Sequence, residues 1–300
     1  MKKYTKFTHL LQGEILGMPD VALYYLGQEG MILSTPGVTL AVDPYLSDYV
    51  DKRNNDPRWQ RNYPAPVTPE ELAPYLDYVF CTHAHSDHTD PWTIPVLAER
   101  NKKLVFFASR AFSDKLVEMG VPEERVVPVD TGKVYEFPAV NVVDGKKYEY
   151  SAFSFEAVPA AHEELHLTEK GYAELSFKFI FHTQPYGDTI IFHGGDCCPY
   201  EGLAKAIGHA DVMLLPVNGR DYYRRSANII GNLTAKEAVI LSEEVGADML
   251  IPLHHDLYTD NGLPATDFVN AVLPSSLKYH LFRPGERMIY MKAKAFTEED

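Results

Sequence analysis

Short apolar runs, each too brief for a helix, set the pattern from Val21 onward. VALYYLG, EGMILSTP and VTLAVDP follow one another across residues 21–44, the last two joined by Thr35-Pro36-Gly37, and predict a meander of β-strands. A polar stretch from Tyr45 to Thr68 reads as loop, and PEELAPYL (69–76) as a helical turn. DYVF then leads as a strand into the polar cluster CTHAHSDH. PWTIPVLAER and SDKLVEMG read as helices around the strand KLVFFAS, and RVVPVD, KVYEFPA and KYEYSAFSFEAVPA as strands. YAELSFKFIFHT and DTIIFHGGD form a hairpin turning at Gln184-Pro185-Tyr186-Gly187. From there helix and strand alternate: helix 199–208, strand DVMLLPV, helix 234–246, strand DMLIPLHHD, helix 265–273, strand MIYMKA. Both halves thus carry a strand-rich and a helix-rich stretch, with no short-period repeat and no low-complexity linker. Two mixed sheets packed face to face with helices outside satisfy this pattern, an α/β (α+β) chain in a single domain over residues 1–300.

Composition narrows the function classes. The chain has 300 residues, 45% of them hydrophobic, which is enough for a large core. A net charge of −14 argues against a nucleic-acid-binding surface. No run reaches the ~18 apolar residues of a membrane span. The N-terminal MKKYTKFTHLLQGEILGMPD lacks the unbroken apolar segment of a signal peptide. Cys81, Cys197 and Cys198 cannot make a disulfide framework, so reduced thiols in the cytoplasm are expected.

Two motifs carry chemistry. His162, Glu163 and His166 spell H-E-x-x-H, which on a helix would place both imidazoles on one zinc ion with Glu163 as base. Strand-like FSFEAVPAA precedes it and strand-like YAELSFKFIF follows, leaving about nine residues between them, which is short for that helix. The more specific signal is H-x-H-x-D-H at His83, His85, Asp87 and His88, four fixed positions that chance supplies in about 1 chain in 800. It leaves the end of an apolar strand and is followed by the helix-start residues Asp90 and Pro91. Loops at strand ends are where α/β sheets hold ligands. His83 and His85 can point to one ion, Asp87 and His88 to a second. His162, Asp196 and His254 each follow a further apolar strand, and together these are donors of the type that two divalent ions require.

THAHSDH, His162, the GGD at 194–196 and the P-x-H at 252–254 resemble the ordered motifs of the metallo-β-lactamase superfamily across roughly residues 20–255. PVNGRD…NIIGNLTAKEA (216–238) and IPLHHDLYTDNG (251–262) resemble its L-ascorbate-6-phosphate lactonase-like (UlaG-type) branch of metal-dependent hydrolases. The resemblance implies a four-layer αββα sandwich with one or two divalent ions, Zn²⁺ or Mn²⁺, at one edge. It implies that His83, His85 and His162 bind one ion and Asp87, His88 and His254 the other, with Asp196 bridging. It makes Glu163 and His166 bystanders or supports behind the ligands, and Asp43 a brace behind the metal loop; the bland alternative for Asp43 is an Asp-Pro turn starter. A hydroxide held by the metal would be the nucleophile, with Asp87 orienting it and passing the proton on.

Substrate contacts follow from charge placement. Lys52, Arg53, Arg58 and Arg61 cluster in one polar segment, and Arg220, Arg224 and Arg225 in another. The functional reading is a pocket for a small anionic, sugar-phosphate-like molecule with Arg220 as its best anchor, assisted by Asn218 and Tyr222. The bland reading is solvated loops or a contact within a homo-oligomer. His182, His193, His209 and His280 read as structural, and His255 as the rival of His254. The expected activity is hydrolysis of a lactone or other ester-like bond. A phosphodiesterase or nuclease of the same fold, and a non-catalytic metal-stabilised binding or regulatory protein, are the alternatives. A di-iron oxidoreductase is disfavoured because both His83 and His85 are present.

Overall fold

The protein is described from a computed structural model that covers residue 7 and residues 21–143, 146–182 and 187–292. The N-terminal segment 1–20, Phe7 excepted, and positions 184–186 of the predicted hairpin turn lie outside the described residues. Along the chain run β1 (Val21–Gly27), β2 (Gly30–Thr35), β3 (Val38–Val42), α1 (Tyr49–Asn54), α2 (Pro69–Leu72), β4 (Tyr78–Cys81), α3 (Ile94–Arg100), β5 (Val105–Ser109), α4 (Ser113–Glu118) and β6 (Val126–Val129). There follow β7 (Val134–Val143), β8 (Lys146–Pro159), β9 (Ala161–His162), β10 (Glu164–Leu165), β11 (Leu167–Thr168), β12 (Gly171–Tyr172), β13 (Leu175–His182) and β14 (Asp188–His193). The last part holds α5 (Leu203–Ile207), β15 (Val212–Pro216), α6 (Tyr222–Ser226), α7 (Ala235–Glu244), β16 (Met249–Leu253), α8 (Ala265–Val272), β17 (Lys278–Tyr279) and β18 (Arg287–Tyr290).

The described residues form two seven-stranded mixed sheets, ordered β18-β1-β2-β3-β4-β5-β6 and β17-β16-β15-β14-β13-β8-β7. Each half of the chain begins with antiparallel hairpins and ends in parallel strands: β3 to β6 in the first, β14 to β17 in the second. Parallel pairing needs a crossover, so helices fall where the sequence alternates helix with strand. β18 breaks the division by returning from the second half to pair with β1.

Side-chain alternation builds the layers. In β13, Leu175, Phe177, Phe179 and Phe181 face the core between the sheets. They meet Phe80 of β4 and Phe155 of β8 there, with Phe80 4.6–5.2 Å from the rings of Phe107, Phe155, Phe177 and Phe179. In β15, Val212 and Leu214 join this core, while Met213 and Leu215 pack outward against Leu203, Ala238 and Phe268 of the helices. Val79 and Cys81 of β4 pack on the other outer side with Leu72, Ile94 and Leu97. The result is the expected αββα arrangement. Thr234 starts α7 with a capping box, its hydroxyl accepting from Glu237 N and the Glu237 carboxylate from Thr234 N.

The polar stretch 45–68 departs from its reading as loop. It contains α1 and a 3₁₀ turn at Pro57–Trp59. Its charges hid the helix, yet Asp51 in the first turn and Lys52 and Arg53 in the last suit the helix dipole. No helix among the described residues is long and apolar enough to cross a membrane.

Candidate metal centre

The centre grows from the end of β4. Asp43, placed after β3 with φ at +44°, is fully buried. It accepts the Thr82 N–H (2.8 Å) and the Thr82 hydroxyl (2.5 Å), which binds the exit of β4 to that of β3. His88 Nδ1 lies 2.7 Å from the second Asp43 oxygen, and a carboxylate only accepts, so Nδ1 carries the proton. His83 Nδ1 meets the Thr82 oxygen at 3.0 Å; that hydroxyl spends its hydrogen on Asp43 and must accept here. One buried aspartate therefore anchors the Nδ1 hydrogens of both rings and turns both Nε2 atoms inward, where a bound cation would take their lone pairs. This is the bracing position that the sequence resemblance implied for Asp43.

The second sheet supplies the rest. His162 ends β9, and β9 and β10 pair as a tight hairpin with Glu164 opposite His162. The H-E-x-x-H segment is thus extended, not helical. His166 is exposed and meets Glu174 at 3.0 Å, while Glu163 accepts the Gly231 N–H at 3.1 Å. Asp196 follows β14 through Gly194-Gly195. Gly195 has φ at +55°, and a Cβ there would lie 2.8 Å from Cβ of Thr82, so only glycine lets this loop reach the first-sheet motif. His254 follows β16 with φ at +55° and donates its N–H to the Gln28 carbonyl at 2.9 Å.

All seven sequence-predicted donors come together. His83, His85, His162 and Asp196 offer atoms within 4.8 Å of one another, as do Asp87, His88 and His254. Asp196 divides its oxygens: Oδ2 lies 3.4 Å from His162 Nε2 and 3.9 Å from His83 Nε2, and Oδ1 lies 3.4 Å from His88 Nε2 and 3.6 Å from His254 Nε2. His88 Nε2 and His254 Nε2 are also 3.8 and 3.7 Å from Asp87 Oδ2. Donors on a tetrahedral ion with bonds of about 2.1 Å stand roughly 3.4 Å apart, so these spacings fit metal sites. His83 Nε2, His88 Nε2 and Asp196 Oδ1 are buried with no hydrogen-bond partner among the described residues, a cost that a divalent cation would remove.

Charge follows the same logic. Burial, and then the His88 charge, press His83 well below the ordinary imidazole range. Burial also resists a charge on His88, but Asp196, Asp87 and Asp43 outweigh it and hold His88 well above. Burial resists a charge on Asp196 and Asp87, but His88 outweighs it and holds both below the usual carboxylate range. Burial brings His162 down to about 4 from 6.5. A lowered folded-state pKa gives stability that is complete above the unfolded value and lost as pH falls through the folded one. In chelator-treated protein, His162 is expected to contribute about 3 kcal/mol at neutral pH that disappears between about pH 6.5 and 4. His88 titrates with the opposite sign, so the readout is the denaturation-midpoint difference between wild type and His162→Gln, which should shrink as pH falls.

A cleft of about 260 Å³ opens over the donors, with Asp87, His162, Asp196 and His254 among the residues lining it. The substrate contacts expected from the sequence, Arg220, Asn218 and Tyr222, are not among the residues lining this cleft. Arg220 does not line the cleft, because its guanidinium is engaged bidentately by Glu237 at 2.6 and 2.7 Å, the carboxylate that also caps α7. Asn218 is buried and bonded to Asn261 and Asn232, and Tyr222 is 87% exposed away from the lining. Arg58 pairs with Asp56, Arg224 with Asp221, and Arg61 donates to the Ser47 carbonyl. Arg53 of α1 is the one Arg or Lys side chain lining the cleft among the described residues, and Trp59, Ile229 and Ile230 line it too. The sequence reading also missed Gln28 and Glu29. The signal available was a polar pair between glycines inside an otherwise apolar meander.

Residues 39–255 match the family described as the beta-lactamase superfamily domain. Among curated proteins, the chain is similar to the probable L-ascorbate-6-phosphate lactonase UlaG of Escherichia coli O139:H28 (strain E24377A), 26% identical over 202 residues, covering 65% of this chain and 54% of that protein. The chain thus spans about half the length of the curated relatives it matches. Among solved structures it is similar to Igni18, a metallo hydrolase from the archaeon Ignicoccus hospitalis (TM-score 0.64, 18% identity, 91% of this chain and 100% of that one). It is also similar to the isothiocyanate hydrolase from Delia radicum gut bacteria (TM-score 0.63, 14% identity, 89% and 98%). At these identities the structural likeness speaks for the fold.

Proposed function

The chain belongs to the β-lactamase superfamily, and from that premise we propose that it is a metal-dependent hydrolase opening a lactone or similar ester bond in a small anionic metabolite. The observation that carries this reading is Asp196, whose two oxygens are shared between two imidazole pairs on the wall of an open cleft. The set of imidazoles and carboxylates suits Zn²⁺ or Mn²⁺. When bound there, a divalent cation supplies an acidified water and a Lewis acid for a carbonyl oxygen.

The protein's own residues do the rest. His83, His85 and His162 would hold one ion, Asp87, His88 and His254 a second. Asp43 keeps His83 and His88 in the tautomers that present Nε2. Asp87 lines the cleft as a carboxylate, so it can accept a proton from attacking water and return it to the departing oxygen. Arg53 supplies the positive charge expected of an anion pocket, and Trp59, Ile229 and Ile230 give the substrate an apolar wall. The lactonase named among the relatives acts on a phosphorylated sugar acid lactone by its own name, which agrees with this charge.

The test is a panel of phosphorylated and neutral lactones, phosphodiesters and β-lactams, run with metal analysis and with Asp87→Ala and His162→Ala as controls. Lactone opening that both substitutions abolish is the expected result. Equal rates in the variants with metal still bound would overturn the assignment. For the preferred anionic lactone, Arg53→Ala is expected to raise KM roughly tenfold with little change in kcat, the pattern of a lost charge-assisted contact. Neutral lactones should be unaffected.

A further inference from the structure

Gln28 holds a position that the rest of the centre does not explain. It sits at the tip of the β1–β2 turn, 1% exposed, with φ at +59°, a backbone conformation costly for a non-glycine residue. Its carbonyl accepts the His254 N–H at 2.9 Å, which ties the turn to the exit of β16. Its amide Nε2 then lies 2.9 Å from Asp87 Oδ2 and 2.9 Å from His254 Nε2.

These two contacts use both amide hydrogens. Asp87, a carboxylate, only accepts. His254 Nε2, facing an N–H, must offer its lone pair. An imidazole nitrogen has one lone pair, which serves either the Gln28 amide or a cation. Yet His254 Nε2 is also the atom that stands 3.6 Å from Asp196 Oδ1 and 3.7 Å from Asp87 Oδ2 in the second donor set. The first set has no such rival. His83 Nε2 has no hydrogen-bond partner among the described residues, and His162 Nε2 meets His85 Nδ1 at 3.2 Å and Asp196 Oδ2 at 3.4 Å, members of its own set.

We propose that Gln28 is a built-in competitor for the second cation. Its amide holds Asp87 and His254 until an ion displaces it, so the two positions load in order, the His83–His85–His162 position first. This rests on the metal-centre reading above. The experiment titrates chelator-stripped protein with Zn²⁺ by calorimetry and with Co²⁺ by visible absorption, alongside Gln28→Leu and Gln28→Ala. Both substitutions remove the amide donor, and Leu keeps much of the volume. The expected result is a second step tightened by about tenfold or more, or a second step that wild type lacks, with the first step unchanged. Melting curves of the stripped proteins identify any variant that fails to fold. A second step unchanged or weaker in the folded variants would overturn the proposal, a weaker one making Gln28 a ligand instead. A wild type that takes up no first ion would overturn the metal-centre reading and this inference with it.

Discussion

Asp196→Asn is expected to lower kcat/KM by about 10³-fold or more and to cut the metal content measured by inductively coupled plasma mass spectrometry. The substitution keeps shape and volume but deletes the charge that four imidazoles face: His83 and His162 from Oδ2, His88 and His254 from Oδ1. Asp43 also reaches both sets, but through Thr82 and the Nδ1 of His88, so Asp196 is the carboxylate whose loss strips the Nε2 side of both positions at once. Asp87 serves only the His88 and His254 side, so its removal should spare uptake of the first ion. Asp196→Asn protein that retained two ions and full activity would show that the paired distances have no role in binding.

Phe80→Ala should cost about 3–5 kcal/mol of stability, read as a lower midpoint of denaturant unfolding. The ring is fully buried where the two sheets meet. It stacks on Phe107 at 4.6 Å and presents edges to Phe155, Phe177 and Phe179. Truncation leaves a cavity bounded by four other rings, held by strands that cannot collapse inward without breaking register. Phe80 also stands two residues before Thr82, so the variant should lose cation affinity more than an equally destabilising change in α8. A loss below about 1 kcal/mol would mean that the aromatic layer repacks freely.

The two-sheet arrangement was legible because period-two alternation and short apolar runs recur in both halves. The donors were legible because H-x-H-x-D-H is dense and the others follow strands. What escaped notice has physical reasons. Helix α1 is charged on nearly every side, so no apolar stripe marks it. Arg220 follows a strand and looked like a pocket residue, but its partner Glu237 is the third residue of α7, 17 positions on and beyond α6, and no local pattern reveals that capture. Gln28 becomes meaningful only through His254, 226 positions away. Glu29 is odder still: fully buried, with neither carboxylate oxygen hydrogen-bonded among the described residues, and pushed well above the usual carboxylate range by burial and then by Asp196. His193 Nε2 lies 3.7 Å from its Oε2 but spends its hydrogen on the Glu29 carbonyl at 2.8 Å.

The β14 and β16 exits belong to one sheet and the β4 exit to the other, so the ligand cage straddles a junction that neither half of the chain can form alone. Coordination is then also a fastening, a rivet driven through two plates. Any distant change that loosens the plates, in the phenylalanine layer or where β18 clasps β1, will register first as poorer ion retention, well before either plate itself comes apart.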